Sequence, residues 1–537
     1  MHRKSPLGFV FATAIVTLLA SLAAAQPEPG RFSLKPLPKD AWDASAAAHL
    51  LARAGFSGTP GDVQKLSAMS LDEAVTSLVD FEQQTWQNAP PPIPQEMYEG
   101  RDRTEMRELT PEERRELNDK RQKQARESME EVRLWWIERM IATPRPFEEK
   151  MTLLWHGHFT SGAREVKSPV FMKEQNDFLR KNCVGNFRDL VLGISKDRAM
   201  LSYLDGRNNV KEKPNENFAR ELMELFTMGV GNYSETDVKE AARAFTGWSF
   251  DENGYVFRAR QHDGGEKRFL KQRGKFNGDD IVDIIMQQPA TAKFLATKLA
   301  KFYLRPEPER ELIDAIASEL RKNKYEMRPT MKTIFKSQAF YHSTSRGVLV
   351  KSPAELLVST ARKFNTPIEN LRAAERAMAS MGQALLQPPN VKGWTGGTKW
   401  INTATLFNRY NIVSLLVQGG GADRRPAAKD DMNDEEMRAM MASGESMEAK
   451  SRMEGDRRQP AYDPTPALRE NNLTTAEQVV DYYSTALLAA PLDAEKRTAL
   501  VEYLDSGKKF DAKAKNAAER VRMMICLMVS TPEFQLY

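Results

Sequence analysis

The sequence predicts a mainly α-helical protein: a multi-helix globular array with a small β-hairpin insert near residues 248–276. Three observations predict it. Apolar residues recur at helical spacing through most of the chain. Helix-start signatures stand just before those runs, among them Ser70 with Glu73, Thr110-Pro111 and Ser234 with Asp237. Only around Asn253-Gly254 does the period change to two, flanking a dipeptide that favours a tight hairpin turn.

The elements follow in chain order. Residues 1–25 have a basic start (His2, Arg3, Lys4), an apolar run from Leu7 to Leu22 and a small-residue end at Ala23-Ala24-Ala25. That is the pattern of a cleaved secretory signal peptide, so export to the periplasm or beyond the cell is expected, with cleavage near Ala25. The run is short for an anchor, which needs about 20 residues to span a bilayer. No later stretch is apolar enough to cross one.

Residues 26–39 read as a linker and 40–415 as a helical core. AWDASAAAHLLARAGFSG and SLDEAVTSLVDFE are amphipathic helices. NAPPPIPQ is a proline-stiffened break. A charged helical insertion is expected at about 96–133, where acids and bases mix at i,i+4 spacing. FEEKMTLLWHGHF and residues 171–205 continue the helices, and 215–248 form two around a glycine-rich turn. After the hairpin, WSFDENGYVFRARQHD with KRFLKQRGKF, helices resume from Asp279 to Phe364. Residues 418–470 are polar and mixed in charge, as a flexible excursion would be, and 472–537 form a last helical segment on the core.

Bulk properties exclude some functions. Of 78 basic residues, Arg3 and Lys4 leave with the leader; the remaining 76 against 73 acidic residues give a charge of +3. Nucleic acid is therefore not an expected partner. Two cysteines, Cys183 and Cys526, build no disulfide framework, although one bond between them is open.

Four constellations hold residues suited to chemistry. In NENFARELMELFTMG, Phe218, Leu222 and Leu225 form the apolar stripe, while Glu216, Arg220 and Glu224 share the far side at i,i+4. Glu221 sits on the stripe's border, where a carboxylate is partly desolvated and needs a partner. Arg243 in the next helix is the expected ion-pair partner; a catalytic role for Glu221 is the other reading. In Trp155-His156-Gly157-His158-Phe159 the histidines can share a divalent transition metal only if the backbone breaks at Gly157 or the segment is extended, so that i and i+2 face the same way. Otherwise one is buried and one is on the surface. In QHDGGEK, His262 can act as a general base oriented by Asp263, with Lys267 beside a bound ligand, or Asp263 can simply hold a turn. In QPPNVKGWTGGTKW, Lys392, Trp394 and Trp400 can stack on and bind a sugar, with Arg220 as a further binding cation, or the tryptophans can staple the loop to the core. No nucleophile elbow, phosphate loop or His-Glu-x-x-His motif is present.

Taken in order, WHGHF, NENFARELMELFTMGVGNYSETDVKEAARAFTGW, HDGGEK and PPNVKGWTGGTKW resemble the bacterial family known as domain of unknown function 1800. AAHLLARAGFSG, KSPAELLVSTAR and the closing STPEFQLY are similar to its flanking segments. The resemblance implies a mostly helical exported protein, often encoded beside a sulfatase-like exported family, domain of unknown function 1501. It implies no reaction.

Two functions stay open. In the first, His156, His158, His262, Asp263 and Glu221 converge on a metal-dependent or acid–base site that hydrolyses a polymer or envelope component. In the second, the chain is a non-enzymatic scaffold, chaperone or polysaccharide-binding partner of the sulfatase-like protein. The residues lean to the first.

Overall fold

A computed structural model describes residues 30–94, 109–419 and 459–537. The expected signal peptide at 1–25, the start of the expected charged insertion and residues 420–458 of the expected flexible excursion lie outside the described residues. Among the described residues, the structure is mainly α-helical with two small antiparallel hairpins.

The helices start where side chains satisfy the first free amides. α1 (Ala44–Ala54) is capped by Asp43; α2 (Pro60–Ser67) and α3 (Leu71–Val79) carry the Thr59/Asp62 and Ser70/Glu73 capping boxes. α4 (Pro111–Ala142) starts at a Thr110/Glu113 box. It runs unbroken beyond residue 133, because its second half buries Met129, Val132, Trp136 and Met140. The charged run is therefore the solvated start of a core helix.

α5 (Pro146–His158), α6 (Ala163–Val166), α7 (Pro169–Lys181), α8 (Phe187–Ser195) and α9 (Arg198–Tyr203) follow. α10 (Asn217–Glu221) passes directly into a π-helical segment, Leu222–Thr227. α11 (Glu235–Ala244) opens at the Ser234/Asp237 box. The β region is two hairpins. β1 (Trp248–Asp251) pairs with β2 (Gly254–Phe257), and β3 (Lys267–Phe269) pairs with β4 (Gln272–Gly274). The second turn places Leu270 and Lys271 at φ of 46° and 69°, the two successive positive values of a primed hairpin turn.

α12 (Gly278–Met286), α13 (Pro289–Tyr303), α14 (Arg310–Lys322), α15 (Met327–Lys336) and α16 (Gln338–Tyr341) complete the largest core cluster together with α1, α3, α5 and α10. α17 (Pro353–Lys363) and α18 (Leu371–Ser380) pack on α4 in a second cluster. α19 (Thr403–Gln418), α20 (Thr465–Glu470), α21 (Ala476–Leu487), α22 (Ala494–Asp505) and α23 (Ala517–Val529) form a third, joined to the rest through Leu356 and Phe364 of α17. The described end of the expected flexible excursion is ordered. Gln459 donates to the Pro367 carbonyl at 2.6 Å, Tyr462 stacks edge-on against Phe364, and α20 follows. Both cysteines are free and buried.

α5 is held in place by buried charge. Glu149 accepts hydrogen bonds from Trp136 at 2.8 Å and from Arg180 at 2.7 Å, and it pairs with Arg139. Lys150 pairs with Glu355 of α17, whose carboxylate also accepts from the Tyr537 hydroxyl at 2.6 Å. Such pairs repay their desolvation only when every partner is present, so they fix α5 relative to α4, α7 and α17.

Candidate functional site

α5 continues as a helix through Gly157 to His158. The two histidines therefore leave it on different sides, and a shared metal is ruled out by direction. The His156 Nε2 accepts from the backbone amide of Leu386 at 3.2 Å, beneath Trp136 and Trp394. The His158 Nε2 donates to the Phe226 carbonyl at 2.9 Å, among Phe187, Phe226 and Phe294. Burial holds their proton affinities down, to about pH 4 for His156 and about pH 3 for His158, where Lys298 adds to the effect. Both imidazoles are neutral at physiological pH. Among the described residues, no group of three or more His, Cys, Asp or Glu is placed to hold a metal ion.

The same two hydrogen bonds bring three of the four motifs together. His156 fixes the 386–394 loop on one side of α5, and His158 fixes the π-helical segment on the other. Leu386, at φ 59°, also gives its carbonyl to the Ala163 amide at 2.9 Å, a strained backbone held from both ends. Thr160 donates to the Val391 carbonyl. Gly393, at φ 75°, lies so close to α5 that a Cβ there would sit 2.6 Å from the Gly157 carbonyl oxygen. Gly157 falls between the two histidines on the helical wheel, about 100° from each. A Cβ at that position would meet nothing within 4 Å. Gly157 is thus half-buried and flanked by the 386–394 loop on one side and the π-helical segment on the other, and the space between these flanks is a candidate crevice.

Carboxylates line the π-helical wall. The wider π turn, in which the Met228 amide reaches back five residues to the Met223 carbonyl, rotates Glu224 out of the i,i+4 row expected from an α-helix. Glu216 and Arg220 pair as expected at 3.0 Å, and Arg220 forks onto Glu235 at 2.7 and 2.8 Å, so Arg220 is occupied structurally. Glu224 instead accepts from the Tyr233 hydroxyl at 3.2 Å and faces Lys392 at 3.7 Å across the crevice.

The expected Glu221–Arg243 ion pair is not formed. Arg243 pairs with Asp263 at 2.7 Å and Glu240 at 3.0 Å. Glu221 is half-buried, and its Oε2 is fully buried without a hydrogen-bond partner. Burial, and then the neighbouring Glu224 charge, push its proton affinity above the ordinary carboxylate range; Lys392 and Arg220 pull the other way. Tyr203 senses the charges of both Glu165 and Glu221, and burial raises its proton affinity. A carboxyl of raised proton affinity thus stands three residues from one that accepts from a tyrosine and faces a lysine.

The fourth motif serves the scaffold. The His262 Nδ1 hydrogen-bonds the Thr246 carbonyl at 2.9 Å. Asp263 does not orient His262: it is engaged by Arg243 and by the Gly265 amide at 2.9 Å, and Arg243 holds its proton affinity below the ordinary range. Lys267 is buried, with its ammonium donating to the Asp263 and Gly265 carbonyls. Trp400 is buried at 8 % exposure beneath Gly382, so it cannot stack on a ligand. Trp394 is half-buried beside His156.

Sequence reasoning missed Tyr233, Tyr203 and the changed direction of Glu224. Tyr233 was legible as the one aromatic in the GVGNYSETD turn. The π turn has no comparable local signal.

The protein family described as Protein of unknown function (DUF1800) matches residues 49–536. The chain belongs to the DUF1800 family. No curated protein and no solved structure matches. For this DUF1800 chain, no helix among the described residues is long and apolar enough to cross a membrane.

Proposed function

We propose that this DUF1800 protein is an exported acid–base hydrolase that acts on a polymer or envelope component, with Glu221 as acid and Glu224 as base. The observation that carries this reading is the buried, unpartnered Oε2 of Glu221 in a carboxyl with raised proton affinity, beside a Glu224 supported by Lys392 and Tyr233. A carboxyl of raised proton affinity beside a second carboxyl can supply the acid and the base of a hydrolysis. Glu221 delivers its proton to the leaving oxygen. Glu224 takes one from the attacking water. Lys392 balances negative charge in the crevice, and Trp394 lies flat against an apolar sugar face. No metal is invoked.

The test incubates the full chain with purified bacterial cell-wall polysaccharide and measures released reducing ends. Glu221→Gln is expected to abolish release, while Glu216→Gln, on the solvated side, preserves it. Wild-type-like release by Glu221→Gln, or a Glu221 carboxyl that titrates in the ordinary range by carbon NMR, overturns the assignment.

The scaffold reading draws on a different observation: the Asp263, Lys267 and Trp400 side chains are engaged within the fold. In that case the same crevice binds polysaccharide, or docks a sulfatase-like exported partner, without turnover. Equilibrium binding of the polysaccharide that Glu221→Gln leaves unchanged, with no reducing ends released, favours it.

A further inference from the structure

A second cavity lies away from this crevice, between α1 and the end of α21 with the loop that follows it. It encloses about 780 Å³, within the range of small-molecule sites. Its walls are largely apolar, formed by small residues of α1 such as Ala48 and by the Leu487–Leu492 stretch. Four cations line it: Arg497, which pairs with Asp481, and three others, Arg346, Lys351 and Lys363.

None of the three has a carboxylate partner. Arg346 donates to the Tyr341 carbonyl at 3.0 Å and the Ser45 hydroxyl at 2.8 Å. Lys351 donates to the Phe534 carbonyl at 2.6 Å, and Lys363 to the Ala486 and Leu487 carbonyls at 3.0 and 2.8 Å. The one acidic side chain in the lining, Asp481, is engaged by Arg497 at 2.6 and 2.7 Å. Lys351 is 3 % exposed, and His49, on the same wall, is kept neutral by burial and by Arg53 and Arg346. Glu355 near Lys351 and Asp43 near Arg346 offset part of this buried charge without bonding to it, and an anion in the cavity would offset more. Burial accordingly lowers the proton affinity of Lys351 and Lys363, the latter to about 8.

We propose that this cavity binds a single-chain amphiphilic anion, an alkyl carboxylate or alkyl phosphate, with its headgroup among Arg346, Lys351 and Lys363 and its chain along the α1 and Leu487–Leu492 walls. Charge complementarity selects the headgroup, and the apolar wall selects the tail. The proposal is independent of the crevice chemistry.

The test is calorimetric titration of the full chain with dodecanoate below its micelle concentration, set against inorganic phosphate and dodecanol. Dodecanoate is expected to bind one-to-one, at least tenfold more tightly than either control. Arg346→Gln is expected to weaken it tenfold or more. Ala48→Phe, at a half-buried wall position, is expected to block it while the protein melts as wild type. Absence of dodecanoate binding overturns the proposal. So does equal affinity for dodecanoate and dodecanol, or unchanged affinity in both variants.

Discussion

The crevice depends on the 386–394 loop lying against α5, and two glycines at that contact are expected to respond in opposite directions to the same substitution. Gly393→Ala introduces a Cβ 2.6 Å from the Gly157 carbonyl oxygen at a backbone φ of 75°. The left-handed conformation costs an alanine about 1–2 kcal/mol. The overlap is with backbone held by α5, so it cannot be relieved by a side-chain rotation and adds roughly 1–3 kcal/mol. The expected loss is about 2–5 kcal/mol. Gly157→Ala adds a Cβ that meets nothing within 4 Å, in the last turn of a helix. Alanine there gains up to about 1 kcal/mol of helix propensity. At roughly 2 cal/mol/K of unfolding entropy per residue, a body of this size shifts its midpoint by about 1 °C per kcal/mol. Calorimetry should therefore show Gly393→Ala melting about 2–5 °C lower and Gly157→Ala at or slightly above wild type. Because the new methyl of Gly157→Ala enters the candidate crevice, the stable variant should also lose polymer hydrolysis. A Gly393→Ala protein with wild-type melting, or a destabilised Gly157→Ala, would refute the docking geometry.

Other expectations follow from the buried charges. Glu221 holds its proton more tightly when folded, so between its unfolded and folded values the native state binds more protons and stability falls as pH rises. Glu221→Gln should therefore gain stability relative to wild type between pH 4 and neutrality in urea titrations; a constant difference across that range contradicts the burial of its Oε2. His156 and His158 have the opposite sign: their stabilisation is present above the unfolded value of about 6.5 and is lost as pH falls toward about 4 and 3. His158→Gln, which retains a donor for Phe226, should flatten the acid limb of the melting curve. Asp263→Asn strips Arg243 of a charge-assisted bond and should cost about 1–3 kcal/mol, whereas His262→Ala should cost less and leave hydrolysis intact. Glu355→Gln leaves Lys150 buried without its counter-charge and should cost about 3–5 kcal/mol by chemical denaturation.

Local physics made much of the protein legible from its sequence. The 3.6-residue spacing of apolar side chains, the Ser70, Thr110 and Ser234 caps and the Asn253-Gly254 turn each act within a few residues, and each appears where its chemistry places it. The motif stretches were equally visible, and so was the border position of Glu221. What only tertiary structure decided is which partner each long side chain meets. Glu221, Arg243 and Asp263 compete for one another across separate elements, and Arg243 goes to Asp263 because the hairpin loop folds over α11. The direction of Glu224 was decided by a π turn whose Phe226 carbonyl is taken by His158, far away in sequence. Helix and turn preferences are short-range and additive enough to read along a chain. Pairing of charges, direction of imidazoles and the shape of a crevice arise from long-range packing that no single stretch encodes.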